Sequence, residues 1–278
     1  NGMADMGTAA NPTSDAARAR TAERSQGGQG DWAPPEGLPD IYIAMGETAE
    51  NVAEYKQVPR ARMDECAPLS QQRVAKSQQE GWFHWEITPI TLPDGTVVSK
   101  DDGPRAGTTA EKLAELKPVF RPDGTVTAGN ACPLNDGAAA VLVMSDGKAK
   151  AMGLTPLARI VASGVSGLNP EIMGLGPIEA SKQALARAGM SIDDIDLVEI
   201  NEAFAAQVIP SADELGIEWD KLNVAGGAIA LGHPFGMTGA RITATLIHNL
   251  REHDKTFGLE TMCVGGGQGM AMIFERLS

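Results

Sequence analysis

From residue 159 to residue 276 the chain alternates short apolar runs with stretches of helical period, and a layered α/β fold is the architecture that accommodates this alternation. The run RIVASGVSG (159–167) reads as a strand. PIEASKQALARAGM (177–190) reads as a helix, opened by Pro177 in the first turn and closed near Gly189. IDLVEI (195–200) is a short buried strand. The segment 201–215 follows as a helix with Asn201 as its N-cap, which Pro210 should kink or interrupt. A glycine-rich stretch (224–232) leads into a clear helix over 237–252. Two strands, GLETMCV and MAMIFE, then flank a glycine turn at 265–269. The order β-α-β-α-(β)-α-β-β predicts a mixed sheet.

The upstream half is less regular. Residues 1 to about 40 are rich in Gly, Pro, Ser, Ala and Arg and read as a surface loop. A helix is expected over 43–57 with Thr48 as N-cap, another over 62–80, and a third from Thr109 to Leu116. The segment 85–99 carries a Pro-Asp-Gly turn between extended runs and predicts a hairpin. AAAVLVM (138–144) alternates too poorly for a half-exposed strand and is expected to be a buried one.

Composition narrows the function classes. The 278 residues suffice for one large domain or two modest ones, and 32 glycines against 4% aromatics favour α/β layers over an aromatic-rich sandwich. With 23 basic and 36 acidic residues the net charge is −13, and there is no Lys/Arg run, which argues against nucleic acid or an anionic membrane as partner. A small polyanion held by one or two local cations remains open. Three scattered cysteines give no disulfide framework and no CxxC pair for zinc, so a reducing cytoplasm is expected and no metal. No apolar run reaches the ~18 residues of a membrane span, and no signal segment is seen. The chain opens Asn1–Gly2–Met3, which reads equally as a processed or truncated product and as a start at Met3.

Three residues carry candidate chemistry, each with a structural alternative. His233 lies between Gly232 and Pro234 in a compact loop, where it is either a turn histidine or a base placed at the end of a strand. Cys263 ends an apolar strand before three glycines. It is either an inert core thiol or a reactive group beside exposed backbone N–H donors. Asn201 is either a helix cap or a functional amide.

In company these residues say more. NEAF (201–204), GGAIALGHPFGMTGAR (226–241) and CVGGGQG (263–269), in this order, closely resemble the thiolase family. The resemblance extends through MGETAENVA (45–53), TTAEKLAELKPVF (108–120), TVTAGNA (125–131), LNDGAAAVLVM (134–144) and MGLGP (173–177), a counterpart of the family's substrate-activating Gly-Pro segment. It implies an α/β fold of layered αβαβα type with mixed five-stranded sheets and an inserted loop domain. Residues 1–134 would be the CoA-binding loop domain, 135–154 the remaining piece of the N-terminal domain, and 155–278 the C-terminal domain. The implied activity is acyl transfer between CoA and acetyl-CoA: thiolytic cleavage of a 3-ketoacyl-CoA, as in fatty-acid degradation, or the reverse Claisen condensation.

By resemblance His233 would activate a nucleophilic cysteine and donate to an oxyanion. Asn201 would hold a water completing that hole, Cys263 would move the α-carbon proton, and the Gly265 N–H would help build a second hole. Met45, Arg105, Phe120, Ala128, Ala131, Cys132 and Phe204 would contact CoA, with Arg105 as a phosphate partner and Cys132 where relatives often carry Ser. Coenzyme A would be a substrate and no further cofactor is implied. A homodimer or homotetramer is expected.

The sequence departs from the family at one point. The family's acyl-accepting cysteine lies in an N-terminal segment, and NGMADMG matches a motif downstream of it, so roughly a hundred residues of the pattern, about a small domain, are expected to be missing before Asn1. Neither Cys66 nor Cys132 sits in the nucleophile motif. A non-catalytic acyl-CoA-binding subunit is therefore the alternative reading, and a Cys263–His233 hydrolase a weaker third. His84 is expected to pack among Trp82, Phe83 and Trp85, with His248 and His253 solvated. Phe235 and Met237 read as core packing or as walls of an acyl pocket.

Overall fold

The structure, a computed structural model, describes residues 12–278. The NGMADMG segment lies outside them. Its centre is a four-stranded mixed sheet of order β3-β6-β5-β4, built from β3 (Ala158–Gly167), β4 (Leu197–Ile200), β5 (Phe257–Val264) and β6 (Gln268–Arg276). β4 runs parallel to β5, and the other pairings are antiparallel. A fifth position is marked by one parallel bridge from Val198 to Leu222. The strands fall where the apolar runs predict them.

Alternation along the strands sorts side chains to two faces. Val198, Ile200, Leu259, Ala271 and Ile273 face α6 (Gly176–Ala188) and α7 (Ala205–Leu215), which contribute Ala184, Leu185, Val208 and Leu215 to the main core. On the other face Leu197 and Phe274 meet Leu246 and Leu250 of α9 (Thr238–Glu252). A further layer covers α7: α2 (Met45–Tyr55) and α3 (Arg60–Gln79) pack Ala49, Ala53, Met63 and Ala67 against Ala205, Ala206 and Ile209.

Several expectations are corrected. The stretch read as a loop over the first forty residues contains α1 (Pro12–Arg24). α2 starts at Met45 after Ala44, and Thr48 lies inside it with its hydroxyl donating to the Met45 carbonyl (2.6 Å), so it is not the N-cap. Asn201 is not a cap either, because α7 begins at Ala205; Pro210 sits within that helix without ending it. The hairpin at 85–99 shrinks to β1 (Ile90–Thr91) and β2 (Val97–Val98), and the helix near 109–116 to α4 (Ala110–Ala114), capped by Thr109. AAAVLVM belongs to no strand among the described residues. Leu142 and Val143 are exposed, as are Ile160 and Val165 of β3. Apolar texture marks a segment as suited to burial, and burial still requires a neighbour to supply it.

The long loop before the sheet is held by charge. Arg121 is 5% exposed; its Nε donates to Glu47 Oε2 (2.7 Å), Nη2 to Asn51 Oδ1 (2.7 Å) and Nη1 to Glu54 Oε1 (2.6 Å), all on α2. Glu50 on the same helix accepts from the N–H groups of Thr125 and Val126. Asn130 donates to Asp64 of α3 (3.0 Å), which ties residues 120–131 to both helices. Replacing Arg121 by Met leaves Glu47 buried without a cation. The expected loss is about 3–5 kcal/mol, measured as a lowered midpoint in urea unfolding.

Candidate active site

Two of the sequence-selected groups, Asn201 and Cys263, lie at the C-terminal ends of the neighbouring parallel strands β4 and β5, and His233 lies in the loop before α9. Asn201 continues from β4, its N–H donating to the Thr261 carbonyl of β5 (3.0 Å) and its own carbonyl accepting from Gln207 Nε2 (2.7 Å). Its side-chain Oδ1 and Nδ2 are buried and have no hydrogen-bond partner among the described residues. A buried amide in that condition is unfavourable unless something else completes it.

Glu202 beside it is buried and satisfied. Its carboxylate accepts from Ser70 Oγ (2.6 Å), Asn223 Nδ2 (2.8 Å) and the Ile229 N–H (3.1 Å). Asn223 pairs with Ile200 through Oδ1 and Nδ2 (both 2.9 Å), standing in for a strand neighbour. Nothing in the sequence separated Glu202 from an ordinary acid at a helix start.

His233 follows the short helix α8 (Ala228–Leu231) and Gly232, whose φ of +95° is open to glycine and where a Cβ would fall 2.1 Å from Asn135 Oδ1. Its Nδ1 lies 2.7 Å from Thr238 Oγ1. That hydroxyl donates its proton to the Pro234 carbonyl (3.0 Å), so it accepts from Nδ1–H and leaves the Nε2 lone pair free. Burial, with Arg241 adding to it, pushes the imidazole down to about 4, so the ring is neutral at pH 7. Phe235, predicted as core or pocket wall, is 70% exposed with its ring edge-on to His233 at 5.0 Å.

Cys263 is buried near the end of β5, opposite Gly269 of β6. Met173 and Ala203 pack on it, with Met45 and Phe204 against the same cluster. Burial pushes its thiol up to about 12. The neighbouring strands and α6 approach without side chains between them: a Cβ on Gly269 would sit 2.1 Å from the Gly176 carbonyl oxygen. Gly265, in the turn beyond Cys263, has open space on its Cα.

Of the other residues singled out, Phe120 meets Phe204 edge-to-face at 6.3 Å, Ala131 bridges Phe204, and the Cys132 N–H donates to Ala203 O (3.0 Å). Arg105 and Ala128 are exposed and lie outside this cluster; the Arg105 backbone N–H donates to Gln71 Oε1 (2.6 Å). Two histidine expectations change. His84 and Trp85 are exposed, whereas His248, expected to be solvated, is buried and stacked on Trp82 at 4.2 Å.

Comparison with known proteins gives the family of the chain. The family pattern "Thiolase, N-terminal domain" matches residues 1–147, and "Thiolase, C-terminal domain" matches 154–276. The chain belongs to the thiolase family. An acetyl-CoA acetyltransferase from Allochromatium vinosum is 45% identical over 99% of this chain and 73% of its own length. The crystal structure of the Bacillus anthracis acetyl-CoA acetyltransferase superimposes with a TM-score of 0.82 at 46% identity, covering 91% of this chain and 67% of that one. Human mitochondrial 3-ketoacyl-CoA thiolase in complex with CoA gives 0.80 at 44%, covering 85% and 60%. This thiolase chain thus spans between 60% and 73% of the length of these relatives.

Burial also holds the other two thiols of this thiolase protonated, Cys66 at about 12 and Cys132 at about 11. At pH 7.5 the thiolate share is roughly 3 × 10⁻⁵ for Cys66 and roughly 3 × 10⁻⁴ for Cys132, against roughly a tenth for an unfolded cysteine. Iodoacetamide should therefore alkylate the folded chain far more slowly than the urea-unfolded chain at that pH, as peptide mapping by mass spectrometry would read directly.

Proposed function

We propose that this protein acts as an acyl-CoA thiolase, moving an acyl group between CoA and acetyl-CoA by cleavage of a 3-ketoacyl-CoA or by the reverse condensation. The observation that carries the reading is the state of His233: neutral, its Nδ1–H engaged by Thr238 and its Nε2 lone pair free to take a thiol proton. The other groups fit around it. The unpartnered amide of Asn201 suits a bound water that would complete an oxyanion hole with His233. Cys263 keeps its proton in an apolar cluster, as a group that hands a proton to the α-carbon must. The N–H of Gly265 would serve the second oxyanion.

In this reading residues 1–134 form the CoA-binding loop domain, with Met45, Phe120, Ala131, Cys132 and Phe204 along the pantetheine path and Arg105 and Ala128 toward the nucleotide. Residues 135–154 belong with the N-terminal domain and 155–278 form the C-terminal one. In this reading the acyl-accepting thiolate is none of the three cysteines: Cys263 serves as the acid/base, and Cys66 and Cys132 lie outside the family's nucleophile motif. The same observation favours a second reading, a non-catalytic acyl-CoA-binding subunit. Assembly as a homodimer or homotetramer and residence in the cytoplasm are part of the proposal.

The test is CoA-dependent cleavage of acetoacetyl-CoA, followed by loss of the substrate, with the protein together with a polypeptide that supplies the acyl-accepting cysteine. Turnover that falls by about 10²–10³ on Asn201→Ala and on His233→Ala supports the thiolase reading. CoA binding with no cleavage in the unsubstituted protein and no change in affinity on either substitution overturns it in favour of the binding subunit.

A further inference from the structure

A cavity of about 220 Å³ lies between α1, the segment that follows it and α2. Its walls include Arg20 and Arg24 of α1, Trp32 and Ile43 of the following segment, and Arg121 and Glu171. None of the residues lining it is among those assigned to CoA or to catalysis, so its occupancy is measurable whether or not the thiolase reading stands.

The carboxylates here are already engaged. Glu171 accepts from Trp32 Nε1 through Oε2 (2.9 Å) and from the Asp40 N–H through Oε1 (2.8 Å). Glu54 of α2 accepts from Arg121 Nη1 (2.6 Å), from the Trp32 N–H (3.1 Å) and from Arg24. Arg121 in turn commits all three of its nitrogens to α2. The other two guanidiniums have donors to spare. Arg24 directs both Nη groups to the Gly30 carbonyl (3.1 Å each), while its Nε is buried without a hydrogen-bond partner among the described residues. Among the same residues Arg20 commits only Nη2, to the Leu38 carbonyl (2.7 Å), and stands 3.8 Å from Glu171 Oε1.

A buried N–H without an acceptor is unfavourable, and native structures supply one. What completes this cavity therefore brings acceptor oxygens, and between two cations a charged acceptor is held better than a neutral one. Trp32 and Ile43, 4% and 5% exposed, give the same walls apolar surface suited to a hydrocarbon tail. The volume sets the size. Drug-sized ligands occupy roughly 300–1,000 Å³, whereas a cavity of about 150 Å³ admits a benzene ring. Glu23, a further acid of the lining, is exposed to solvent, where its charge is screened. We propose that this cavity binds a small organic carboxylate, its head on Arg24 Nε and Arg20 and its tail against Trp32 and Ile43.

The experiment follows the indole N–H signals of the ¹⁵N-labelled protein during titration with butyrate. The chain has four tryptophans, and Trp32→Phe assigns the signal of Trp32. Butyrate should shift that signal saturably, with a Kd on the order of 1 mM. Butyramide, of similar shape without the charge, should bind about tenfold more weakly. Arg24→Gln removes the Nε donor and the charge and should also weaken butyrate about tenfold. Should it fail to fold because Glu54 loses a partner, Arg20→Gln alters a partly exposed side chain and should weaken butyrate in the same direction. The proposal is overturned by the absence of a saturable shift up to about 20 mM butyrate, which would leave the cavity to water. Butyramide binding as tightly as butyrate overturns it too, as does native affinity in folded Arg24→Gln, or in folded Arg20→Gln where the first does not fold. Inorganic phosphate binding as tightly as butyrate would assign the cavity to anions in general and overturn the organic-acid assignment.

Discussion

The carboxylate of Glu202 holds the candidate site in register. It is buried where β4 leaves the sheet, and it receives hydrogen bonds from α3, from Asn223 at the sheet's far edge and from the first turn of the segment that leads to His233. Three pieces distant in sequence thus share one acceptor. Charge-assisted bonds of this kind are stronger than neutral ones, and a buried carboxylate deprived of its donors is strongly unfavourable, so the pieces move together or not at all. The orientations of Asn201 before it and of Phe204 after it follow from that anchor.

How much of this the sequence discloses depends on the length scale of the cause. Strands β3 to β6 and helices α6 and α9 are local in origin, through apolar period, Pro177 in a first turn and Gly189 as a left-handed cap, and they appear where expected. Thr48 and Asn201 failed as caps because either residue type suits a helix start, while the true starts were decided by packing of α2 and α7. Phe204, Met45 and Cys263 were selected by motif and do meet, through contacts that cross well over a hundred residues of chain. Glu202 and Thr238 escaped notice because their importance lies in buried hydrogen bonds to distant segments and to His233. A buried acid looks, in sequence, like any solvated one.

The electrostatics of the site run against those of the molecule. A chain of net charge −13 surrounds its candidate chemistry with groups that burial has discharged: a neutral imidazole, protonated thiols and a carboxyl pair that resists full ionisation. These groups oppose one another in their linkage to folding. Glu199 and Glu260, raised above their unfolded values, contribute stability that is full in acid and is lost as pH rises through 7 to 8. His233, lowered to about 4, contributes stability that is present above its unfolded value of 6.5 and is lost as pH falls toward 4. The site is held in its working state from both sides of neutrality.

The contact between Gly176 and Gly269 has a consequence for motion. Where side chains intervene between a helix and a sheet, thermal displacement can be taken up by rotamer changes, and the two elements slide with little resistance. Backbone against backbone offers no such slack. The start of α6, and with it the Met173–Pro177 segment, is therefore locked to the β5–β6 hairpin that carries Cys263. Of all the separations in the site, the one across this seam should fluctuate least.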